Sequence, residues 1–170
     1  SIFADQIIST CGVVETELIL GNDYASNEHP EVGDFSVIES ISVIEGKPTD
    51  YGWDETVIFF NDSESFHYQC PEDYVDLRSG VICLPQNYQL NSDCLEFKLR
   101  ITHPANFSKW EGLTEKSYLS EKEHFQDKIL QNGLEYLDNS KINKKFFTQK
   151  ILVRDTFTPK TIKRFTSHEN

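Results

Sequence analysis

The chain has 170 residues, enough for one domain with its own core. Its 12 Phe and 7 Tyr exclude a disordered chain, which could not offset its conformational entropy by burial. A formal net charge of −12 at pH 7 sets the chain against nucleic acid and anionic membrane surfaces, both of which select for Lys and Arg.

Taken in chain order, Ala4 to Ser9 reads as a short apolar strand, and Val13 to Leu20 as one or two helical turns. Gly21 to Gly33 is polar and holds Asn22, Asp23, Asn27 and Pro30, the composition of a surface loop. Phe35 to Ile44 reads as a strand whose alternation puts Phe35, Val37, Glu39, Ile41 and Val43 on one face. Thr56 to Phe60 is apolar on both faces and is expected to be a central strand. A third strand is expected at Gly80 to Leu84, stopped by Pro85. The clearest alternation follows: Leu95, Phe97, Leu99 and Ile101 point one way, and Glu96, Lys98, Arg100 and Thr102 the other. From Thr114 to Leu137 the period becomes helical, with Phe125, Ile129, Leu130, Leu134 and Leu137 at three- and four-residue steps. Ser120 and Glu123 have capping-box spacing, inside or at the start of that helix. Lys150 to Arg154 reads as a strand, and Thr158-Pro159 as the N-cap and first residue of a final helix reaching about Phe165. The order predicts an α+β fold, an antiparallel-dominated (mixed) sheet with helices packed on one face.

Chemical motifs are sparse. The chain has no G-x-G-x-x-G, no Walker-A loop and no G-x-S-x-G. Its five histidines show no metal-ligand spacing, so no metal site is expected. Cys11, Cys70, Cys83 and Cys94 form no C-x-x-C pair; two disulfides are arithmetically open, as are four free thiols in a reducing compartment. Asn61-Asp62-Ser63 and Asn106-Phe107-Ser108 are formal glycosylation sequons read as chance. Glu39 interrupts an apolar strand face. Desolvated there it would be an acid–base candidate; at a sheet edge it would lie in water or pair with Lys or Arg. Tyr51, Trp53, Phe59, Phe60, Phe66 and Tyr68 would line an apolar tunnel or serve as core and loop anchors.

Two stretches carry a resemblance. Ala4-Asp5-Gln6-Ile7-Ile8-Ser9-Thr10 is similar to the strand that returns to the cofactor domain in the phytoene desaturase, carotenoid isomerase and retinol saturase family of FAD-dependent oxidoreductases. Thr158-Pro159-Lys160-Thr161-Ile162-Lys163-Arg164-Phe165-Thr166 resembles that family's T-P-x-T-x-x-R-[YF]-T segment, and the region between resembles its substrate domain. The resemblance implies a fragment of a larger enzyme, inactive by itself. Residues 1–20 would return from the cofactor domain, and 21–170 would form a substrate-binding α+β domain ending before the flavin-contacting segment. The implied substrate is a long conjugated polyene or isoprenoid that is desaturated, saturated or isomerised. FAD would be bound mostly by the rest of the parent flavoprotein, with Ser9 and Thr10 touching it here. Phe35, Val37, Ile41 and Phe59 would contact substrate, and Glu39 would be the acid–base group. The parent would be cytoplasmic or peripherally membrane-associated. A chain without Met or a signal pattern agrees with the expectation of a segment. Two alternatives stand beside this reading: a non-catalytic module for an apolar ligand or partner, and a piece of an amine-oxidase or protoporphyrinogen-oxidase-like flavoprotein.

Overall fold

The structure is a computed structural model that describes residues 6–10, 13–21, 33–64, 69–88, 95–137 and 147–166. The chain divides into two compact units, Ser1–Val32 and Gly33–Asn170.

In the first unit, helix α1 spans Val13–Ile19. It ends where Gly21 adopts a left-handed φ of 75° and its N–H reaches the Leu18 carbonyl. Residues 6–10 form no strand, contrary to expectation. The physical reason is the missing partner: among the described residues no other segment pairs with them, and Ile7 and Ile8 are almost wholly exposed. Ala4 and Asp5 lie outside the described residues.

The second unit is built on a five-stranded sheet, antiparallel throughout, in the order β2-β3-β4-β1-β5. The strands are β1 (Phe35–Glu45), β2 (Val57–Asn61), β3 (Ser79–Cys83), β4 (Glu96–Asn106) and β5 (Ile151–Phe157). The long ladder is β1 with β4, from Phe35 opposite Asn106 to Glu45 opposite Glu96. Period-two patterning fixes that register, because a one-residue slip would turn Ile38 and Ile44 to solvent and Glu39 into the core. On β4 the buried set is Phe97, Leu99, Ile101, His103 and Ala105; the first three are those the alternation predicts, and the strand carries the same face on to Ala105. Leu95 is the exception: it precedes the strand and is exposed.

Helix α2 (Phe107–Glu111) follows β4 directly and is not signalled by any periodicity. Its start is legible only in Asn106, whose Oδ1 accepts the Lys109 N–H while its Nδ2 donates to the Pro71 carbonyl. Helix α3 (Glu115–Glu135) is capped by Thr114, which accepts from the Ser117 N–H, so Ser120 and Glu123 lie inside the helix. It buries Phe125, Ile129 and Leu130 against the sheet. Gly133 permits the approach, since a Cβ there would collide with Ile101. Helix α4 (Pro159–Thr166) has Thr158 as its cap, accepting from the Thr161 N–H.

The apolar core thus sits between one sheet face and the helices. Each wholly buried Leu or Ile there contributes roughly 1.5–3 kcal/mol. Tyr51 and Trp53 stack at 5.2 Å and meet Phe97 and Phe147, anchoring the Pro48–Tyr51 turn. Phe60 stacks on Tyr136 at 4.1 Å. These aromatics are core anchors, whereas Phe59 is exposed; Phe66 and Tyr68 lie outside the described residues. Strand β2 is an edge strand, not the central one its apolar run suggested. Its run is apolar on both sides for two different reasons: Phe60 enters the core, while Phe59 stands on the open face.

Candidate functional site: the open face of the sheet

The strand face away from the helices carries an unusual share of apolar side chains. Reading across the ladders, one row runs Phe59, Val81, Thr102, Glu39, Phe157 from β2 to β5. The neighbouring positions on β1 are Phe35, Val37, Ile41 and Val43, and Val37 faces Pro104. A wet sheet face is ordinarily polar, yet here Phe59 is 80% exposed, Val153 60%, Phe157 37% and Val37 36%. The expected face grouping of Phe35, Val37, Glu39, Ile41 and Val43 is therefore correct, and that face looks outward.

Within it lies an open recess of about 420 Å³, walled by Phe35, Val37, Phe59, Val81, Thr102 and Pro104. The Gly80 backbone contributes to its lining. Gly80 has no room for a side chain, because a Cβ would come within 2.5 Å of the Thr102 carbonyl oxygen and 2.7 Å of Phe60 Cζ. Three of the four residues expected to touch a substrate, Phe35, Val37 and Phe59, meet at this recess. Ile41 does not line it; its register partners are Arg100 and Asp155.

Glu39 sits beside the recess in a setting different from the lone, desolvated acid that was one expectation. Arg100 on β4 reaches its Oε1 with Nη2 at 2.7 Å and Nε at 2.8 Å, and the Thr102 hydroxyl donates to the same oxygen at 3.3 Å. Sequence alternation places Arg100 and Thr102 outward but gives no register, so their meeting with Glu39 is visible only once β1 and β4 are paired. Val81 and Pro104, the other residues that sequence reasoning missed here, carry no signal beyond their position in or beside an alternating segment.

Other chemical candidates are quiet. Cys70 and Cys83 are free thiols. Burial pushes the Cys83 thiol up against the pull of Arg100, and burial with help from Asp34 does the same to Cys70. Neither is an activated nucleophile. Cys11 and Cys94 lie outside the described residues. Among the described residues, no three His, Cys, Asp or Glu side chains group as metal ligands would. His103 is wholly buried, and its Nδ1 is 2.8 Å from the Ser79 carbonyl, which fixes the proton on Nδ1.

Ser9 and Thr10 lie in the irregular, exposed stretch before α1, and Ser9 Oγ is 2.6 Å from Thr16 Oγ1. The described residues supply no glycine-rich loop at a long helix N-terminus, the feature that holds a dinucleotide pyrophosphate. They do not fit FAD as a resident group. No family model, curated protein or solved structure matches the chain.

Proposed function

We propose that the open sheet face is the wall of an apolar-ligand site, and that the chain is the substrate-facing part of an FAD-dependent oxidoreductase acting on a long conjugated polyene or isoprenoid. The observation that carries the first half is the recess. An aromatic and aliphatic lining on the wet face of an antiparallel sheet exposes surface that water disfavours and an extended hydrocarbon would cover. The second half rests on the resemblance of the Ala4 to Thr10 and Thr158 to Thr166 segments. In this reading the chain binds and orients substrate, and the flavin is held by the remainder of the parent protein.

All-trans-retinol is a convenient polyene probe because its fluorescence rises on transfer from water to an apolar site. Titration into the chain should give saturable enhancement, and Phe59→Asp should weaken it at least tenfold. FAD titrated into the same chain should show no one-to-one binding. Absence of saturable retinol enhancement would remove the apolar site; tight stoichiometric FAD binding would remove the proposed division of labour.

A second reading, a non-catalytic binding module, is favoured by one specific feature. Glu39 and Arg100, the charged groups beside the recess, are spent on each other, which leaves the recess a shape rather than a reactive centre. The absorbance spectrum of the full-length parent decides between the two, since a flavin band belongs only to the oxidoreductase.

A further inference from the structure

The face of β1 that looks into the core carries Ser36, Ile38, Ser40, Ser42 and Ile44, all buried. Three serines thus stand at inward positions that usually hold large aliphatic side chains. Opposite Ser40 stands Thr156 on β5. Ser40 is 1% exposed and Thr156 is 0% exposed, and among the described residues neither Ser40 Oγ nor Thr156 Oγ1 has a hydrogen-bond partner.

This differs from what the same region does two residues further along the chain. There Thr158 Oγ1, Thr161 Oγ1 and Tyr118 Oη lie within 3.2–3.3 Å of one another, and every hydroxyl is engaged. Where protein partners are within reach, the seam uses them. Ser40 and Thr156 stand opposite each other on one ladder rung, and among the described residues neither hydroxyl has anything to bond. Stranding both would carry the full desolvation cost of each group.

We infer that Ser40 and Thr156 form an internal hydration site, a single ordered water bridging their two hydroxyls across the β1–β5 seam. The span fits. Residues directly opposite in an antiparallel pair have Cβ atoms roughly 4.5–5.5 Å apart, close enough for one water to reach both hydroxyls through O–H···O bonds of about 2.7–2.8 Å each. The chemistry fits as well, because each hydroxyl both donates and accepts, so the occupant has to be neutral, very small and able to do both. Buried waters of this kind satisfy otherwise unpaired polar groups and are integral to the fold. The site also gives β5 a specific polar tie to β1 beyond the backbone ladder.

The test combines diffraction with isosteric substitution. A high-resolution crystal structure of the full chain should show one solvent peak within hydrogen-bond distance of both Ser40 Oγ and Thr156 Oγ1. Thr156→Val keeps the side-chain shape and removes the hydroxyl. It should lower the melting temperature by about 2–4 °C, the scale of one lost hydrogen bond in a chain of this size. Ser40→Ala should act in the same direction, and the double variant should lose less than the sum, because both single changes break the same bridge. An empty density map between the two oxygens overturns the inference. So does a rise in melting temperature for either single variant, the signature of deleting a hydroxyl that was stranded all along.

Discussion

Adjacent residues on β4 show how sharply the pleat separates fates. Leu99 is wholly buried and Lys98 is exposed. Leu99→Ala should destabilise the fold by about 2–5 kcal/mol, the cost of a lost side chain plus the cavity left behind. Lys98→Ala should change stability by no more than about 0.5 kcal/mol. Chemical denaturation of the two variants checks the register, and equal losses would contradict it. Glu39 is the harder case. Its partner Arg100 is nearly half exposed, and exposed pairs contribute little. Glu39→Gln keeps the shape and should lower stability by less than about 1 kcal/mol. Retinol affinity should stay within about twofold, because the Glu39 carboxylate does not line the recess. A tenfold fall in affinity would mean that the ion pair itself shapes the site.

The elements were legible in the sequence wherever one face of a segment is buried and the other is wet. Strands β1 and β4 and helix α3 all meet that condition, and their facing follows from period alone, although β4 begins after Leu95 and runs on to Asn106, beyond the alternation that ended at Thr102. Thr158-Pro159 was legible for another reason, since a cap and a ring-fixed φ are local chemistry. Strand β2 misled because an apolar run does not say whether both faces are covered: Phe60 is in the core and Phe59 faces solvent. Helix α2 is too short to show a period, and its cap is a single Asn. The recess was half legible. Phe35 and Val37 were grouped by alternation within one strand, but their assembly with Phe59, Val81 and Pro104 depends on strand order, which no local pattern encodes. The cap of α3 makes an element-level test. Thr114→Ala removes the oxygen that accepts the Ser117 N–H and should cost about 0.5–2 kcal/mol. Ser120→Ala, inside the helix, should cost less than about 0.5 kcal/mol. Thermal melts of the pair report which residue begins the helix, and a larger loss at Ser120 would move the start.

At the scale of the whole molecule, pH is the lever that one buried side chain exposes. Burial pushes the His103 imidazole below its ordinary value, outweighing the upward pull of its hydrogen bond to Ser79 and of the Asp76 backbone and charge. Phe60 packs edge-on against the ring at 5.4 Å, and Nε2 has no hydrogen-bond partner among the described residues. A proton placed there would have to be carried in the core. The unfolded chain has no such restriction, and its imidazole titrates near 6.5. Between the lowered native value and about 6.5 the unfolded state therefore binds more protons than the native state, so stability rises with pH through that window. Read downward, stability should be level above about pH 7.5 and erode as pH falls below about 6.5, until the native imidazole itself takes a proton. Asp76 and Asp155 act lower on the scale. Burial raises both carboxyls, but Arg78 on one and Lys122 with the Thr156 N–H on the other hold them below the ordinary carboxylate value. Their contributions are lost only as pH falls from about 4 downward. The two effects are therefore separable. His103→Asn retains a donor near the Nδ1 position for the Ser79 carbonyl and removes the titration. Urea denaturation at pH 7.5 and pH 5.5 should show the native chain losing stability between the two, with the Asn variant nearly flat across the same interval. If both proteins decline equally, the acid sensitivity belongs to other groups, and the buried imidazole does not govern it.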